Sequence, residues 1–144
     1  MDKLKLKEHS EKLLEFHRDI SGFYNEYAKS VGLTYASLEV LGIIWEENNC
    51  TQKTITQKTC LPKQTVNAII KIFNNNGIIE RLVESSSDKR NKIIVLTEKG
   101  KKYADDIMSK VREVEYKALD SLGEKKCEEL VKIVALYRDS LRRD

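Results

Sequence analysis

The segment between residues 51 and 96 constrains the fold most, because its hydrophobic period changes once, at Gly77. Residues 66–73 carry apolar side chains at i, i+3, i+4 and i+7, which predicts a helix with one buried face. Residues 79–84 alternate with a period of two and residues 93–96 are aliphatic, so two strands follow. The polar residues 85–92 between them are typical of a turn. The segment therefore predicts a helix that leads into a β-hairpin.

A shorter helix is predicted just before this one. Thr51 can cap a helix over residues 52–58, in which Ile55 is the main apolar anchor. Pro62 suits the first position of the next helix, where its missing N–H would have no partner, and Gly77 suits the left-handed position after it. Two helices joined by a short turn form a helix-turn-helix, in which the second helix enters the major groove of DNA. The hairpin is then the wing of a winged helix-turn-helix.

Four further helices are predicted, of which the first and the last have seams without a partner inside one chain. The first covers residues 4–29, and the second begins after Thr34, which caps it. The third covers residues 98–122 and is capped by Thr97, and the fourth covers residues 124–141. The fold class is mainly α with a small β-hairpin wing, a winged helix-turn-helix with N- and C-terminal dimerisation helices. One integrated domain is expected, with residues 1–32 and 101–144 for dimerisation and residues 33–100 for DNA binding. The predicted dimerisation residues are Leu6, Leu13, Phe16, Ile20, Leu130, Val134, Tyr137 and Leu141.

Positive charge is concentrated in the middle of the chain. The whole sequence has 26 Lys and Arg against 23 Asp and Glu, but residues 48–102 hold eleven basic residues against four acidic ones. Within that part, residues 48–79 carry four lysines and no acidic residue. A cationic surface that coincides with a recognition motif is expected of a protein that faces phosphates.

The outer face of the second motif helix has side chains suited to base contacts. Gln64 and Asn67 can make paired contacts with adenine, and Lys63 and Lys71 can reach guanine acceptors or phosphates. Thr65 can contact a thymine methyl group or a phosphate. The alternative is an ordinary solvated helix face, which many proteins have. The absence of acids and the basic hairpin that follows favour DNA binding.

The tip of the hairpin supplies a second set of candidates. Arg90 is predicted to enter a narrow A·T-rich minor groove, with Asp88 orienting its guanidinium. Lys89 and Lys92 would lie near flanking phosphates. The alternative is a hydrophilic loop with a surface ion pair worth about 0 to 1 kcal/mol. The predicted DNA-binding residues are Thr51, Lys53, Lys63, Gln64, Thr65, Asn67, Lys71, Lys89, Arg90 and Lys92.

A resemblance to the MarR family is carried by Thr65-Val66, Asn76-Gly77-Ile78-Ile79-Glu80-Arg81, Asp88-Lys89-Arg90 and Val95-Leu96-Thr97-Glu98-Lys99-Gly100. The order of elements that resembles the family covers nearly the whole chain. The resemblance implies a winged helix between terminal helices that interlock in a homodimer, and the Asp and Arg of the family's wing match Asp88 and Arg90. It also implies a transcriptional regulator, with repression favoured over activation, and a near-palindromic operator with half-sites about 10 bp apart.

The signal that would release such a regulator from DNA stays open. Family members respond to phenolic or other small molecules, to oxidation or to metals, so the resemblance implies a candidate small-molecule or stress effector. Cys60 could act as a switch, but a small buried thiol is the favoured interpretation. His9 and His17 lack a nearby ligand partner, which disfavours a zinc sensor.

Several other classes are disfavoured by what the sequence lacks. It has no motif of a phosphate-binding loop, a zinc protease or a serine hydrolase, so no enzyme, cofactor or metal is expected. Three dispersed cysteines indicate no disulfide framework, and a mostly buried state is expected for them. Without an apolar span or signal core, a cytoplasmic protein without membrane contact is expected. The alternative function is a winged-helix module that binds an acidic protein partner and not DNA.

Overall fold

The computed structural model describes residues 1–47, 49–83 and 92–143 of the chain. Within these ranges six helices and three short strands are present, as expected for a mainly helical protein with a small sheet. The helices are α1 (Lys3–Ser30), α2 (Tyr35–Glu46), α3 (Gln52–Thr59), α4 (Lys63–Asn75), α5 (Glu98–Leu122) and α6 (Glu124–Leu141), and the strands are β1 (Cys50–Thr51), β2 (Ile79–Val83) and β3 (Lys92–Leu96).

Three threonines begin helices as the sequence predicts. Thr34, Thr51 and Thr97 each accept a hydrogen bond at Oγ1 from a backbone N–H of the first turn, at 3.0, 3.2 and 2.9 Å. Such caps satisfy helix N–H groups that have no partner within the helix. Pro62 differs slightly from the prediction: it occupies the N-cap of α4 instead of the first helical position. Its φ of −57° still suits the start of a helix.

The three strands form one antiparallel sheet in the order β1-β3-β2. The predicted hairpin partners are β2 and β3, with Glu80 opposite Val95 and Leu82 opposite Ile93. The third strand was not predicted, since two residues are too short to show a period. It pairs Cys50 with Ile94 and so joins the segment before α3 to the wing.

The chain divides into two compact units, Met1–Asp105 and Asp106–Asp144. The core of the first unit confirms the predicted inner face of α4, where Val66, Ile69, Ile70 and Phe73 are all buried. Fully buried side chains from α2, α3, β2 and β3 complete it, namely Val40, Leu41, Ile55, Ile79 and Ile94. Because α4 is packed along its whole inner face, its outer face is held in a fixed direction.

Trp45 on α2 is half-buried. Its Nε1 donates a hydrogen bond to Oδ1 of Asp105 at 2.7 Å. An indole N–H that reaches the protein surface commonly ends on such an acceptor. Trp45 therefore ties α2 to the first turns of α5 by this hydrogen bond.

The end of α4 is fastened to the start of α5 by several backbone contacts. Thr97 donates from Oγ1 to the carbonyl of Gly77 at 2.6 Å and from its backbone N–H to the carbonyl of Ile78 at 3.1 Å. Lys99 donates from Nζ to the carbonyl of Asn76 at 2.8 Å. Gly100 lies against the backbone of Ile78 so closely that an added Cβ would lie 1.8 Å from the carbonyl oxygen. These contacts fix the position of the C-terminal end of α4 relative to the start of α5.

The turn of the helix-turn-helix contains a residue in an unfavourable conformation. Cys60 follows α3 in the left-handed region, with φ 56° and ψ 18°. This conformation costs a non-glycine residue about 1 to 2 kcal/mol, whereas glycine adopts it freely.

Replacing Cys60 should therefore raise or lower the free energy of unfolding, depending on the new side chain. Cys60→Gly should raise the free energy of unfolding by about 0.5 kcal/mol, after the greater freedom of unfolded glycine is subtracted. Cys60→Val should lower it by about 1 kcal/mol, because a β-branched side chain fits this region least well. Urea unfolding of the two variants and the parent measures both shifts, and equal stabilities would contradict the assigned strain.

Candidate nucleic-acid interface

The outer face of α4 is open to solvent and carries most of the predicted base-reading residues. Lys63, Gln64 and Lys71 are exposed, while Thr65 and Asn67 are half-buried at the edges of the face. No acidic residue occurs in the helix. The first helical N–H groups follow Pro62, which makes no side-chain capping bond to them. The sequence prediction of an open, acid-free face on this helix is confirmed.

The lysines of this region differ in whether they have a partner. Within the ranges that the structure describes, Lys53, Lys63 and Lys71 are exposed and make no ion pair. Lys58 instead pairs with Glu47, a residue just before the acid-free run. Three lysines of the run are thus available to an anionic ligand, and the fourth is partly neutralised.

Two predicted contact residues outside α4 have distinct surroundings. Thr51 is half-buried, and its Oγ1 accepts from the N–H of Thr54 and shares a hydrogen bond of 3.1 Å with Thr54 Oγ1. Its hydroxyl is therefore already used in capping α3. Lys92 is exposed at the first residue of β3. The remaining wing candidates, Asp88, Lys89 and Arg90, lie outside the described residues.

The predicted dimerisation residues of α1 are all exposed. Residues 1–20, which include nearly two thirds of α1, have no buried or half-buried member. Four large apolar residues nevertheless lie there at heptad-like spacing, with exposed fractions of 51% for Leu6, 45% for Leu13, 50% for Phe16 and 60% for Ile20. A long stripe of this kind is normally covered by another helix.

The helix α6 is apolar over a wider arc than the predicted seam. Leu130, Val134, Tyr137 and Leu141 are exposed as expected, but Val131, Ile133 and Leu136 are exposed on other sides. Between residues 130 and 137 the only charged residue is Lys132. A helix that is hydrophobic nearly all round is normally buried on several sides. The sequence analysis predicted the row that contains Leu130 and Val134 and missed the exposed apolar residues on the other sides. The nearly uncharged run 130–137 already indicated them.

Comparison with known proteins shows which family of regulators the chain resembles. A sequence profile described as MarR family matches residues 33–92. A MarR family regulator from Neisseria meningitidis has 28% sequence identity and a TM-score of 0.80, with 98% of this chain and 94% of that chain covered. The chain is similar to MarR family regulators, with the family profile matched over residues 33–92. The resemblance carried by the sequence motifs is thereby confirmed.

Similar proteins also include regulators from staphylococci. The HTH-type transcriptional regulator SarZ of Staphylococcus haemolyticus is 32% identical over 77 residues, which are 54% of this chain and 52% of that protein. SarZ of Staphylococcus epidermidis is 31% identical over 84 residues, or 58% and 56% of the two chains. The chain spans about half the length of the curated relatives it matches. MepR of S. aureus, solved as a complex with DNA, shares the winged-helix fold, with 20% identity, a TM-score of 0.75 and coverage of 93% and 98%.

The cysteines of this chain are less buried than the sequence suggested. Only Cys50 is buried, and burial raises the pKa of its thiol, which makes it unreactive. Cys127 is half-buried and donates to the carbonyl of Leu119 at 3.1 Å. Cys60 is exposed, so the favoured interpretation of a buried thiol was wrong. The reason is the left-handed turn, which directs this short linker residue to solvent.

An aromatic cluster between α1 and α2 was not predicted. The rings of Tyr24 and Tyr35 lie with centroids 6.4 Å apart, and Phe23 packs edge-on against Tyr24 at 5.2 Å. Burial raises the pKa of Glu39, although a hydrogen bond with Tyr35 acts in the opposite direction. The pKa of Tyr35 is also raised, by burial and then by the charge of Glu39. The cluster helps to fix the first winged-helix element, α2, against the last turns of α1.

The described residues contain neither a metal-binding group nor a membrane-spanning helix. No three His, Cys, Asp or Glu side chains among them are grouped so that they could hold a metal ion. In the same ranges, no helix combines the length and the apolar character that a membrane span requires.

Proposed function

We propose that this chain is a sequence-specific transcriptional regulator that binds double-stranded DNA as a homodimer. The observation that carries the proposal is the outer face of α4, which is exposed and free of acids. It carries Lys63 and Lys71, which make no ion pair with any residue that the structure describes. A surface of this kind suits the negative potential of a DNA groove. The DNA complex of MepR, a protein of the same fold, and the name of the SarZ relatives support it.

The proposed mode of binding places α4 in the major groove. Gln64 and Asn67 carry amide groups that can form paired hydrogen bonds with adenine, and Lys63 and Lys71 reach guanine or phosphate. Lys53 on α3 and Lys92 on β3 add phosphate contacts. In the wing, insertion of Arg90 into the minor groove with support from Asp88 stays a prediction.

The homodimer is supported by the two unpartnered apolar surfaces. In α1 and in α6, rows of large hydrophobic side chains are exposed over several helical turns. Soluble proteins rarely leave such surfaces uncovered, and a second copy of the chain offers matching ones. A two-fold dimer would read a near-palindromic operator with half-sites about 10 bp apart.

The regulatory direction and signal belong to the same proposal. We favour a cytoplasmic repressor that leaves its operator when a small molecule or stress signal is present. Staphylococcus aureus MarR, of the same fold, has been solved in complex with salicylate and kanamycin, which supports a small-molecule effector.

Affinity for duplex DNA at graded salt tests the proposal against a protein-binding module. Binding through phosphates predicts a linear fall of log affinity with log salt, because each neutralised phosphate releases counterions. Lys63→Ala and Lys71→Ala should each weaken binding and make the slope about one unit shallower. Lys12→Ala, which removes the same charge from α1, is the control and should leave the slope unchanged. Absence of duplex binding, or a flat salt dependence, would favour the protein partner instead.

A further inference from the structure

The outer face of α4 is not uniformly polar. Ala68 and Ile72 are exposed on it, and 55% of the Ile72 surface is accessible. With about 100° of rotation per residue, Thr65, Ala68 and Ile72 fall within about 60° of one another around the helix. Together these three residues form a row of methyl groups, here termed the methyl stripe.

The stripe lies on one flank of the face, and polar groups occupy the centre and the other flank. Gln64 and Lys71 are near the centre of the outer face, and Lys63 and Asn67 lie on the side opposite the stripe. All four are neutral or cationic. A protein partner with an apolar patch would have to bury these lysines. A DNA groove instead accommodates both kinds of group, because its floor presents methyl groups beside hydrogen-bonding edges and its walls are phosphates.

We infer that the methyl stripe reads the C5 methyl groups of thymines in the major groove. This inference rests on the proposed function of the same helix and names the bases that it selects. The thymine methyl is the apolar group on the base edges of the major groove, and cytosine lacks it. Thr65 and Ile72 are seven residues apart, which is about 10 Å along the helix and matches about three base-pair steps. The stripe selects thymine over cytosine at up to three neighbouring positions of each half-site.

The thymine methyl can be removed without any other change to the base by substituting deoxyuridine. The probe is a duplex selected by the parent protein from a random library at fixed salt, in which each thymine is replaced in turn by deoxyuridine. Loss of one buried methyl contact should weaken binding by the parent about fourfold. This loss should appear at one to three positions of a half-site and be absent elsewhere.

Variants of the stripe identify the residue that reads each methyl group. Ile72→Ala should lose the difference between thymine and deoxyuridine at one position, and alanine at this exposed site favours the helix. Thr65→Ser removes only the Cγ2 methyl, retains the hydroxyl, and should lose the difference at another position. Leu82→Ala is the control, since Leu82 is an exposed apolar residue on β2 with 48% of its surface accessible. It should keep every thymine preference of the parent.

The outcomes separate this inference from the function on which it rests. If the parent selects no duplex at all, the proposed function fails. If it selects a duplex but binds the deoxyuridine forms equally well, the function stands and methyl reading is overturned. If the preference for thymine persists in both Ile72→Ala and Thr65→Ser at every position, other residues read the methyl groups and the stripe is overturned.

Discussion

Gly100→Ala is expected to lower the free energy of unfolding by about 3 kcal/mol or more, although it adds only one methyl group. The added Cβ would lie 1.8 Å from the carbonyl oxygen and 2.8 Å from the carbonyl carbon of Ile78. Both are backbone atoms between α4 and β2, so no side-chain rotation relieves the clash. The start of α5 must move away, and the hydrogen bond from Gly100 N–H to Thr97 Oγ1 is strained with it.

Thermal and urea unfolding followed by circular dichroism measure this effect, with Gly22→Ala as the control. Gly22 lies within α1, and a Cβ added there meets no atom within 4 Å. Alanine is the better helix former by about 1 kcal/mol, so the control should be slightly more stable than the parent. A Gly100→Ala protein as stable as the parent would show that Ile78 and α5 can separate at little cost.

The same junction matters for the proposed function because it determines the position of α4. Thr97, Lys99 and Gly100 contact the carbonyls of Asn76, Gly77 and Ile78, which are the residues that end the helix. A displaced α5 would shift the end of α4 and so change the orientation of its outer face. We therefore expect the loss of duplex binding in Gly100→Ala to appear at temperatures where the control still binds.

Local signals in the sequence predicted most of the fold, and each has a local physical cause. Thr34, Thr51 and Thr97 cap helices because a threonine hydroxyl satisfies a nearby N–H. Gly77 has φ +70°, as expected for the residue after a helix. The strand β1 escaped prediction because its pairing with β3 depends on residues more than forty positions away. Cys60 was misjudged for a related reason, since its exposure depends on the turn geometry and not on its type.

The candidate site was predictable where residue type and helical period suffice. Lys63, Gln64 and Lys71 follow from a helix whose opposite face is apolar. Ile72 was missed because an isoleucine is normally assigned to the core, and only the packing of α4 shows that it faces outward. For Thr51 the sequence suggested both a helix cap and a DNA contact, and the structure shows the hydroxyl in use as the cap of α3.

Val134→Asp is expected to convert the proposed dimer into a monomer. Val134 is 55% exposed in the single chain and lies among the other apolar residues of α6. In a two-fold dimer the substitution occurs twice, and each buried unpaired carboxylate costs several kcal/mol. Every 1.4 kcal/mol weakens association about tenfold, so the variant should be monomeric at micromolar concentration. Sedimentation velocity measures the change directly.

Lys132→Asp provides the matched control, because it introduces the same side chain two residues away on the one charged position between residues 130 and 137. It changes the net charge of the chain but not the apolar row of Leu130, Val134 and Tyr137, so it should remain dimeric. Circular dichroism should show that both variants keep their helices, since α6 has no buried residue within the chain. If Val134→Asp sediments as a dimer like the control, α6 does not pass through the interface, and the surface that joins two copies must lie elsewhere. If it is monomeric yet binds a palindromic duplex as tightly as the parent, each chain recognises its half-site alone and the two-fold geometry adds nothing to affinity.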